Sequence, residues 1–128
     1  MALDHLDLDV DHGQVWGILG PNGSGKTTTL GIILGILRAQ SGNFSWFEGR
    51  YGWEHRKQIG AILETPNFYP YLNALENLKI IQHIKQSYDD PIEEYLELVK
   101  LAHRKHSAFR TYSLGMKQRL AIASTLIG

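Results

Sequence analysis

The 128 residues include 13 basic and 13 acidic side chains, so the formal net charge is +0, and 43% of the residues are hydrophobic. This length and balance predict one modest folded domain rather than a disordered chain, and the neutral charge provides no overall field that would favour nucleic acid. The sequence has no cysteine, which excludes disulfides and thiolate metal sites.

The first half of the chain has the patterns of short strands and one helix. Residues 3–10 end in strict alternation, which predicts a half-buried antiparallel strand, and the continuous apolar run 14–20 predicts a strand buried on both faces. A helical pattern follows from 26 to about 38. Residues 43–47 and 58–63 then have the composition of further short strands.

The predicted first helix carries the longest apolar run, "LGIILGIL" at 30–37. This run is far shorter than the roughly 20 residues that cross a membrane. Gly31 and Gly35 are four residues apart and therefore lie on one face of the predicted helix. We interpret them as a site of close helix–sheet packing, with close approach to a ligand as the alternative.

The second half is predicted to be helical. Residues 73–85 have helical spacing, and a second helix is expected to end near residue 102. For that helix, Asp90 is the predicted N-cap, Pro91 the first-turn proline and Glu93 the acid of a capping box.

A glycine-rich loop between the second strand and the first helix fits the pattern G-x-x-x-x-G-K-[ST]. Its candidate binding residues are Gly20, Pro21, Asn22, Gly23, Ser24, Gly25, Lys26, Thr27 and Thr28. Glycines allow successive backbone N–H groups to face one anion, and the N-terminus of the following helix adds positive potential. Lys26 can reach β- and γ-phosphates, Thr27 offers a hydroxyl to Mg²⁺, and Thr28 adds a donor to the α-phosphate. The loop predicts nucleotide binding; the alternative is a glycine turn that binds nothing.

A second unusual stretch, "YSLGMKQRL", occupies residues 112–120. Ser113 is a suitable N-cap, and Gly115 in the first turn leaves backbone N–H groups accessible. The apolar face of the predicted helix consists of Met116, Leu120, Ala123 and Ile127. Such a helix N-terminus is a potential phosphate site, although a plain capped helix explains the stretch equally well when it is taken alone.

Together the two stretches resemble the P-loop and the signature motif of the ATP-binding-cassette (ABC) ATPase family, whose signature is usually close to LSGGQ-x-x-R. The intervening segments "SGNFSWFEG" and "IGAILETPNFYPYLNALENL" also occupy the places that the family gives them. The resemblance covers the whole chain. It implies an α/β fold: a P-loop NTPase core with an antiparallel β-subdomain and a helical subdomain, incomplete here.

The resemblance also implies how the chain is divided into subdomains. Residues 1–65 would form the nucleotide-binding core and β-subdomain, 66–112 the helical subdomain and 113–128 the signature helix. In the family, two cassettes face each other head to tail. Residues 20–28 would then bind ATP and Mg²⁺, while Ser113 and Gly115 would contact the γ-phosphate of the ATP held by the second cassette.

The partners implied by the family are a second ABC ATPase subunit and transmembrane permease subunits, with no nucleic acid. The location implied is cytoplasmic, at the inner face of the cell membrane. Three aromatic side chains around Pro70 fit this view in one of two ways: Phe68, Tyr69 and Tyr71 either dock a permease helix or pack on the helices of this chain.

One departure from the family pattern lies after the predicted strand 58–63. The family has a glutamine there that touches Mg²⁺ and the attacking water, whereas this sequence has Glu64. A carboxylate is a stronger cation ligand but cannot donate a hydrogen bond. The change is similar to the branch that exports lantibiotics and bacitracin-like peptides, with a generic drug or peptide exporter as the alternative. Thr27 and Glu64 are thus the predicted metal ligands, and Lys26 and Glu64 the predicted catalytic residues, unless Glu64 is a plain surface residue.

A second departure is in the signature, where Leu114 and Met116 replace a glycine and a glutamine; exporter cassettes tolerate this variation. A third is that no apolar strand ending in Asp-Glu follows Ser113, so the family's catalytic acids are missing and both ends look cut. We therefore expect part of the ATP-binding subunit of an exporter for a peptide antibiotic, drug or similar substrate, with little ATP hydrolysis by itself.

Other functions fit parts of the sequence. In a small P-loop kinase, residues 61–64 would form a short metal-binding strand with Glu64 as its acid, but "YSLGMKQRL" would then have no role. An ABC ATPase of DNA repair or translation should carry stronger basic patches. An adaptor role without catalysis also remains open.

Overall fold

The computed structural model describes residues 6–50, 52–63 and 67–128. By its internal contacts the chain divides into two compact units, with the boundary between Glu48 and Gly49. The α-helices are α1 (Lys26–Ile33), α2 (Ala74–Lys85), α3 (Ile92–Leu98) and α4 (Leu114–Thr125). Short 3₁₀ segments cover Phe47–Gly49, Gly52–Gln58, Ala102–Arg104 and Phe109–Thr111.

The predicted strands are not formed in the described part of the chain. Residues 6–10, 14–20 and 43–47 have no ladder partner, and the predicted strand 58–63 begins inside a 3₁₀ segment and continues as irregular backbone. An extended segment becomes a strand only when a neighbouring segment satisfies its N–H and C=O groups. These segments do not pair with one another, so the predicted strands are not confirmed in the described residues; residues 3–5 lie outside the described ranges.

Exposure shows the same absence of sheet packing. Val15 is 99% exposed and Leu19 94% exposed, although both belong to the run predicted to be buried on two faces. Among the described residues, β pairing is limited to one isolated antiparallel bridge between Asn73 and Ala108. The apolar pattern of 14–20 is therefore present without the neighbours that would bury it.

Helix α1 is shorter than predicted because a left-handed glycine ends it. The helix ends at Ile33, and Gly35 has φ 68°. The chain then turns back so that the Leu37 N–H donates to Gly31 O at 2.9 Å. A Cβ on Gly31 would lie 2.9 Å from Leu37 Cδ1, so the close packing predicted for Gly31 is made by a leucine. Gly35 is a helix-ending residue and not a packing residue, because only glycine adopts this conformation without strain.

Helices α2, α3 and α4 enclose one apolar core. Its buried residues are Ala74, Leu78, Ile92, Leu96, Val99, Leu101, Phe109, Tyr112, Leu120, Ala123 and Ile127. The predicted apolar face of α4 is confirmed, because Leu120, Ala123 and Ile127 are fully buried and Met116 packs against the core. No helix in the described ranges has both the length and the apolar character to span a bilayer.

The start of α2 is fixed by its own side chains. The Glu76 N–H donates to Asn73 Oδ1 at 3.0 Å, and the Asn73 N–H donates to Glu76 Oε2 at 2.8 Å. This reciprocal capping box satisfies two N–H groups that have no acceptor inside the helix. The helix predicted over 73–85 is confirmed within one residue.

The start of α3 differs from the prediction. Pro91 occupies the N-cap, and no side chain caps the helix. Asp90 does not cap the helix; its Oδ2 accepts the Gly128 N–H at 2.7 Å. Glu93 accepts from Lys105 Nζ at 2.7 Å, and this hydrogen bond lowers the pKa of Glu93. Both acids are therefore used in contacts between segments.

The end of α3 also comes earlier than predicted. The helix stops at Leu98, and Lys100 takes a left-handed conformation with φ 59°. This turn lets the Leu101 N–H donate to Leu96 O at 2.7 Å and places the Leu101 side chain in the core, fully buried. Burial of a leucine is worth about 2 kcal/mol and offsets the strain of a left-handed lysine.

Candidate functional site

The glycine-rich loop folds as a turn closed on itself. The Ser24 N–H donates to Pro21 O at 3.2 Å, and Gly23 and Gly25 both have left-handed backbones, with φ 82° and φ 89°. Side chains with a Cβ are strained in this region. The two glycines are thus required by the path of the chain.

The Lys26 side chain folds back onto the loop and binds its oxygen atoms. Its Nζ donates to Gly20 O and Pro21 O, both at 2.7 Å, and to Ser24 Oγ at 3.3 Å. A Cβ on Gly20 would lie 2.6 Å from Ser24 Oγ, so glycine permits this close approach. The ammonium is held as a fixed positive charge over the loop, where an anion would meet it.

Helix α1 begins directly after Gly25, which is buried. By helix geometry, the first N–H groups of α1 have no acceptor inside the helix, and the dipole makes this end positive. The Thr27 side chain is exposed and Thr28 is half-buried. A cavity of about 360 Å³ opens here, and its lining residues are Asn22, Gly23, Gly25, Lys26, Thr27 and Thr28. The structure therefore gathers most of the loop residues predicted from the sequence around one positive cavity.

Thr29 contributes to this loop although sequence reasoning gave it no role. Its side chain is buried, and Oγ1 donates to Gly25 O at 3.0 Å. The bond ties the first turn of α1 to the left-handed glycine before it. The signal in the sequence is only the spacing of a threonine four residues after a glycine, which is common in helices.

Glu64 lies outside the described residues, so its predicted metal and catalytic roles stay predictions. In the described ranges, no group of three or more histidine, aspartate or glutamate side chains is arranged to hold a metal ion. Thr27 is the described member of the predicted metal pair. The cavity fits a phosphate chain through the lysine, the amide groups and the threonine hydroxyls, and phosphate oxygens would supply the other ligands of a magnesium ion.

The second predicted site forms the first turn of α4. Ser113 is the N-cap, and its Oγ accepts the Met116 N–H at 3.3 Å. No heavy atom lies within 4 Å of a Cβ built on Gly115, and Leu114 is 72% exposed. There is therefore free space beside Gly115 in this turn.

Two side-chain contacts next to this turn help to hold it in place. Tyr112 is buried, and its hydroxyl donates to Arg104 O at 2.7 Å. Burial raises the pKa of Tyr112, and the Arg104 charge opposes that shift in part. Lys117 Nζ lies 5.3 Å from the centre of the Phe109 ring, a cation–π distance.

Arg119 stands at the arginine position of the signature pattern LSGGQ-x-x-R, but the sequence analysis gave it no role. Its Nη1 donates to Val99 O and Lys100 O, both at 3.2 Å, and its Nε contacts Gly115 O at 3.4 Å. Both ends of the guanidinium thus bind carbonyls, at the end of α3 and in the first turn of α4. Nothing in the spacing of the sequence indicates these partners.

The aromatic cluster around Pro70 divides in two. Phe68 packs on the core and meets Phe109 edge to face, with ring centres 5.1 Å apart. Tyr69 and Tyr71 remain 49% and 70% exposed, with ring centres 5.9 Å apart. Packing on the helices of this chain holds for the phenylalanine, and the two tyrosines are available to a partner.

A buried asparagine fixes the loop that carries these tyrosines. Asn77 is 2% exposed; its Oδ1 accepts the Tyr69 N–H at 2.8 Å, and its Nδ2 donates to Tyr69 O at 3.2 Å and Asn73 O at 2.9 Å. Nδ2 also lies 3.4 Å from Leu72 O. Sequence reasoning did not single out Asn77, because an asparagine inside a helical pattern carries no periodic signal.

Comparison with known proteins gives a consistent family. The profile described as "ABC transporter" matches residues 3–128. An uncharacterised ABC transporter ATP-binding protein of Bacillus subtilis, YdbJ, is 43% identical, and the bacitracin transport ATP-binding protein BcrA of Bacillus licheniformis is 42% identical. The lantibiotic transport ATP-binding protein SrtF of Streptococcus pyogenes is 36% identical. Each match covers 98% of this chain.

The relatives are longer than this chain. It spans 42% of the length of YdbJ and of BcrA and 55% of SrtF. A solved structure, "Structure of ATP binding subunit of ABC transporter", has 31% identity and a TM-score of 0.71, over 84% of this chain and 48% of its own. The architecture is thus that of a P-loop NTPase of the ABC type, as the sequence predicted at this level.

Proposed function

Because this chain belongs to the ABC transporter family, we propose that it is the nucleotide-binding part of an ATP-binding subunit that drives a membrane exporter. The observation that carries the proposal is the loop 20–28, where a fixed lysine ammonium, left-handed glycines and a helix N-terminus face one cavity. These groups match the charge and shape of a triphosphate. The named relatives are transport proteins, which favours a transporter over a small kinase.

In this proposal ATP binds with its phosphates against the loop. Lys26 contacts the β- and γ-phosphates, Thr27 is a ligand of Mg²⁺, and Thr28 donates to the α-phosphate. The Lys26–Ser24 bond, at 3.3 Å, is the longest of the three that hold the ammonium and is the one a phosphate oxygen would replace. Glu64 completes the metal site and orients the attacking water as the second catalytic residue.

Hydrolysis in this proposal needs two copies of the cassette arranged head to tail. Ser113 and Gly115 of one copy contact the γ-phosphate of the ATP bound by the loop of the other. The open space at Gly115 supports this role, because it lets an anion approach the helix N-terminus; the Ser113 hydroxyl, which now accepts the Met116 N–H, would also lie there. Association excludes water from both nucleotides and is the step that transmits force.

The force is passed to transmembrane permease subunits, and the cargo is a peptide antibiotic of the bacitracin or lantibiotic class or a similar compound. The names of BcrA and SrtF support this cargo class. The exposed pair Tyr69 and Tyr71 supports a protein partner next to the helical unit, since exposed aromatic pairs are frequent in interfaces. The subunit then works in the cytoplasm at the inner face of the membrane, without nucleic acid.

We also propose the finer domain division. Residues 1–65 belong to the nucleotide-binding core and an antiparallel β-subdomain, 66–112 to the helical subdomain and 113–128 to the signature helix. The support for strands is the apolar pattern and the exposure of Val15 and Leu19, which need partners to be buried. A chain as long as the relatives would contain further segments that could pair with these strands.

The decisive experiment is a titration of the full chain with a fluorescent ATP analogue, with and without Mg²⁺. Lys26→Ala removes the fixed charge and should weaken binding at least about tenfold, since one charge-assisted hydrogen bond is worth about 1.5 kcal/mol or more. The matched control is Lys79→Ala, an exposed lysine on α2, which should bind as the parent does. Equal affinity of the Lys26 variant and the parent would remove the loop from the proposal.

A further inference from the structure

The structure assigns a positioning role to Arg119: we infer that it sets the first turn of α4, the turn that carries Ser113 and Gly115, by binding the carboxyl end of α3. The inference rests on the proposed function for what this turn contacts. It adds a residue that does not touch the nucleotide but decides where the turn lies.

The first step is the geometry of the guanidinium. Nη1 lies 3.2 Å from both Val99 O and Lys100 O, and Nε lies 3.4 Å from Gly115 O. The rigid fork of arginine holds its N–H groups in one plane, so a single side chain links two backbone segments at a fixed separation. A lysine offers one point charge and cannot reproduce this arrangement.

The second step is the nature of the acceptors. Val99 and Lys100 follow the last turn of α3, where carbonyls lack helical partners and the dipole is negative. The left-handed backbone of Lys100, with φ 59°, turns the chain directly after the helix. A cation is favourable at such a helix end, and Arg119 supplies it from 19 and 20 residues away in sequence.

The third step concerns the other supports of the turn, which are the buried Tyr112 on Arg104 O and Lys117 on the Phe109 ring; neither joins the turn to the end of α3. Gly115 has open space on its outer side, and Leu114 is 72% exposed. The Ser113 cap orders the backbone of the turn from within, while Arg119 joins it to another helix. A shift of α3 would therefore be passed to the signature turn through this guanidinium.

The experiment measures amide hydrogen exchange in the full chain for the parent, Arg119→Met, Arg119→Lys and Gln118→Met. Arg119→Met should speed exchange of the Met116 and Lys117 amides roughly tenfold, the value of one charge-assisted hydrogen bond, with smaller changes at the buried end of α4. Arg119→Lys should recover part of the protection, because its ammonium reaches one carbonyl only. Gln118→Met changes an exposed side chain on the same helix and should leave these amides unchanged.

Faster exchange confined to the first turn of α4 would indicate a positioning role for Arg119, whereas faster exchange in all three helices would indicate a general loss of stability. If Arg119→Met speeds exchange equally along α2, α3 and α4, or if Arg119→Lys matches the parent, the positioning role is wrong. An unchanged exchange pattern in Arg119→Met also overturns it.

A second readout keeps this inference apart from the proposed function. ATP-dependent pairing of two copies, followed by sedimentation, should weaken about tenfold in Arg119→Met, while binding of the ATP analogue by the separate chain stays at the parent value. If the parent itself never pairs with ATP, the proposed role of the signature fails, and the exchange experiment still judges Arg119. If the parent pairs and the variant pairs equally well, only the inference about Arg119 fails.

Discussion

The glycine-rich loop and the signature turn are both helix N-terminal turns, but they are held in different ways. The lysine of the loop binds carbonyls five and six residues away and a hydroxyl two residues away. The signature turn has a local cap at Ser113, but its arginine binds carbonyls 19 and 20 residues away. The loop is therefore specified by its own sequence, whereas the position of the signature turn depends on the packing of α3 against α4.

The two compact units, residues 1–48 and 49–128, also differ in how much of their apolar surface is buried. In the first unit, Val15 and Leu19 are almost fully exposed, and the ordered features are the loop and α1. In the second unit, Leu78, Leu96 and Leu120 are fully buried in one core. Since apolar burial is the main stabilising contribution to folding, we expect the cooperative unfolding of this chain to report mostly on the helical unit.

The largest expected effect tests that core. Leu120→Ala should lower the free energy of unfolding by about 3 kcal/mol, because it removes a fully buried side chain and leaves a cavity. Leu114→Ala, on the same helix but 72% exposed, should change it by less than about 0.5 kcal/mol. Urea denaturation followed by circular dichroism measures both. Equal losses in the two variants would contradict the description of this core.

The next effect concerns the loop that carries the exposed tyrosines. Asn77→Ala should cost about 2 kcal/mol, because it leaves the Tyr69 N–H and C=O without their buried partner. Asn43→Ala, at an exposed position, serves as the control in the same urea titration. A loss of unfolding free energy no larger than that of the control would contradict the role of Asn77 in holding the loop.

A smaller effect tests how much the Ser113 cap, rather than the Arg119 contact with α3, stabilises the first turn of α4. Ser113→Ala should cost about 1 kcal/mol, since the Met116 N–H loses its cap, and Ser113→Asp should restore it. Thermal unfolding measures the loss, and amide exchange at Met116 shows whether it is local. If alanine and aspartate behave alike, the hydroxyl does not act as a cap.

The smallest effects compare the helix ends of the two units. Lys100→Gly should stabilise the helical unit by about 1 kcal/mol, because φ 59° is strained for lysine. Gly35→Ala should have the opposite sign, since φ 68° ends α1, and should speed exchange of the Leu37 amide. Urea titration measures the first change and hydrogen exchange the second. A loss of stability in Lys100→Gly would contradict the strain assigned to this turn.

Sequence patterns predicted the helical half better than the strands. The helical spacing of 73–85 and the apolar face at Leu120 are local signals, and both are present as predicted. The cap at Asp90 was wrong because its carboxylate accepts the Gly128 N–H, 38 residues away. The strand at 14–20 is not confirmed, because an apolar run indicates a preference for burial and does not specify the segment that would bury it.

The sequence by itself determined the glycine-rich loop, the caps of α2 and α4 and the family, because each depends on residues a few positions apart whose backbone conformations are set by local sterics and hydrogen bonds. Tertiary structure alone decided the contacts of Arg119, Asn77 and Asp90. Such contacts join segments 8 to 38 residues apart, and their formation depends on which surfaces the helices bury against one another, which no local pattern encodes.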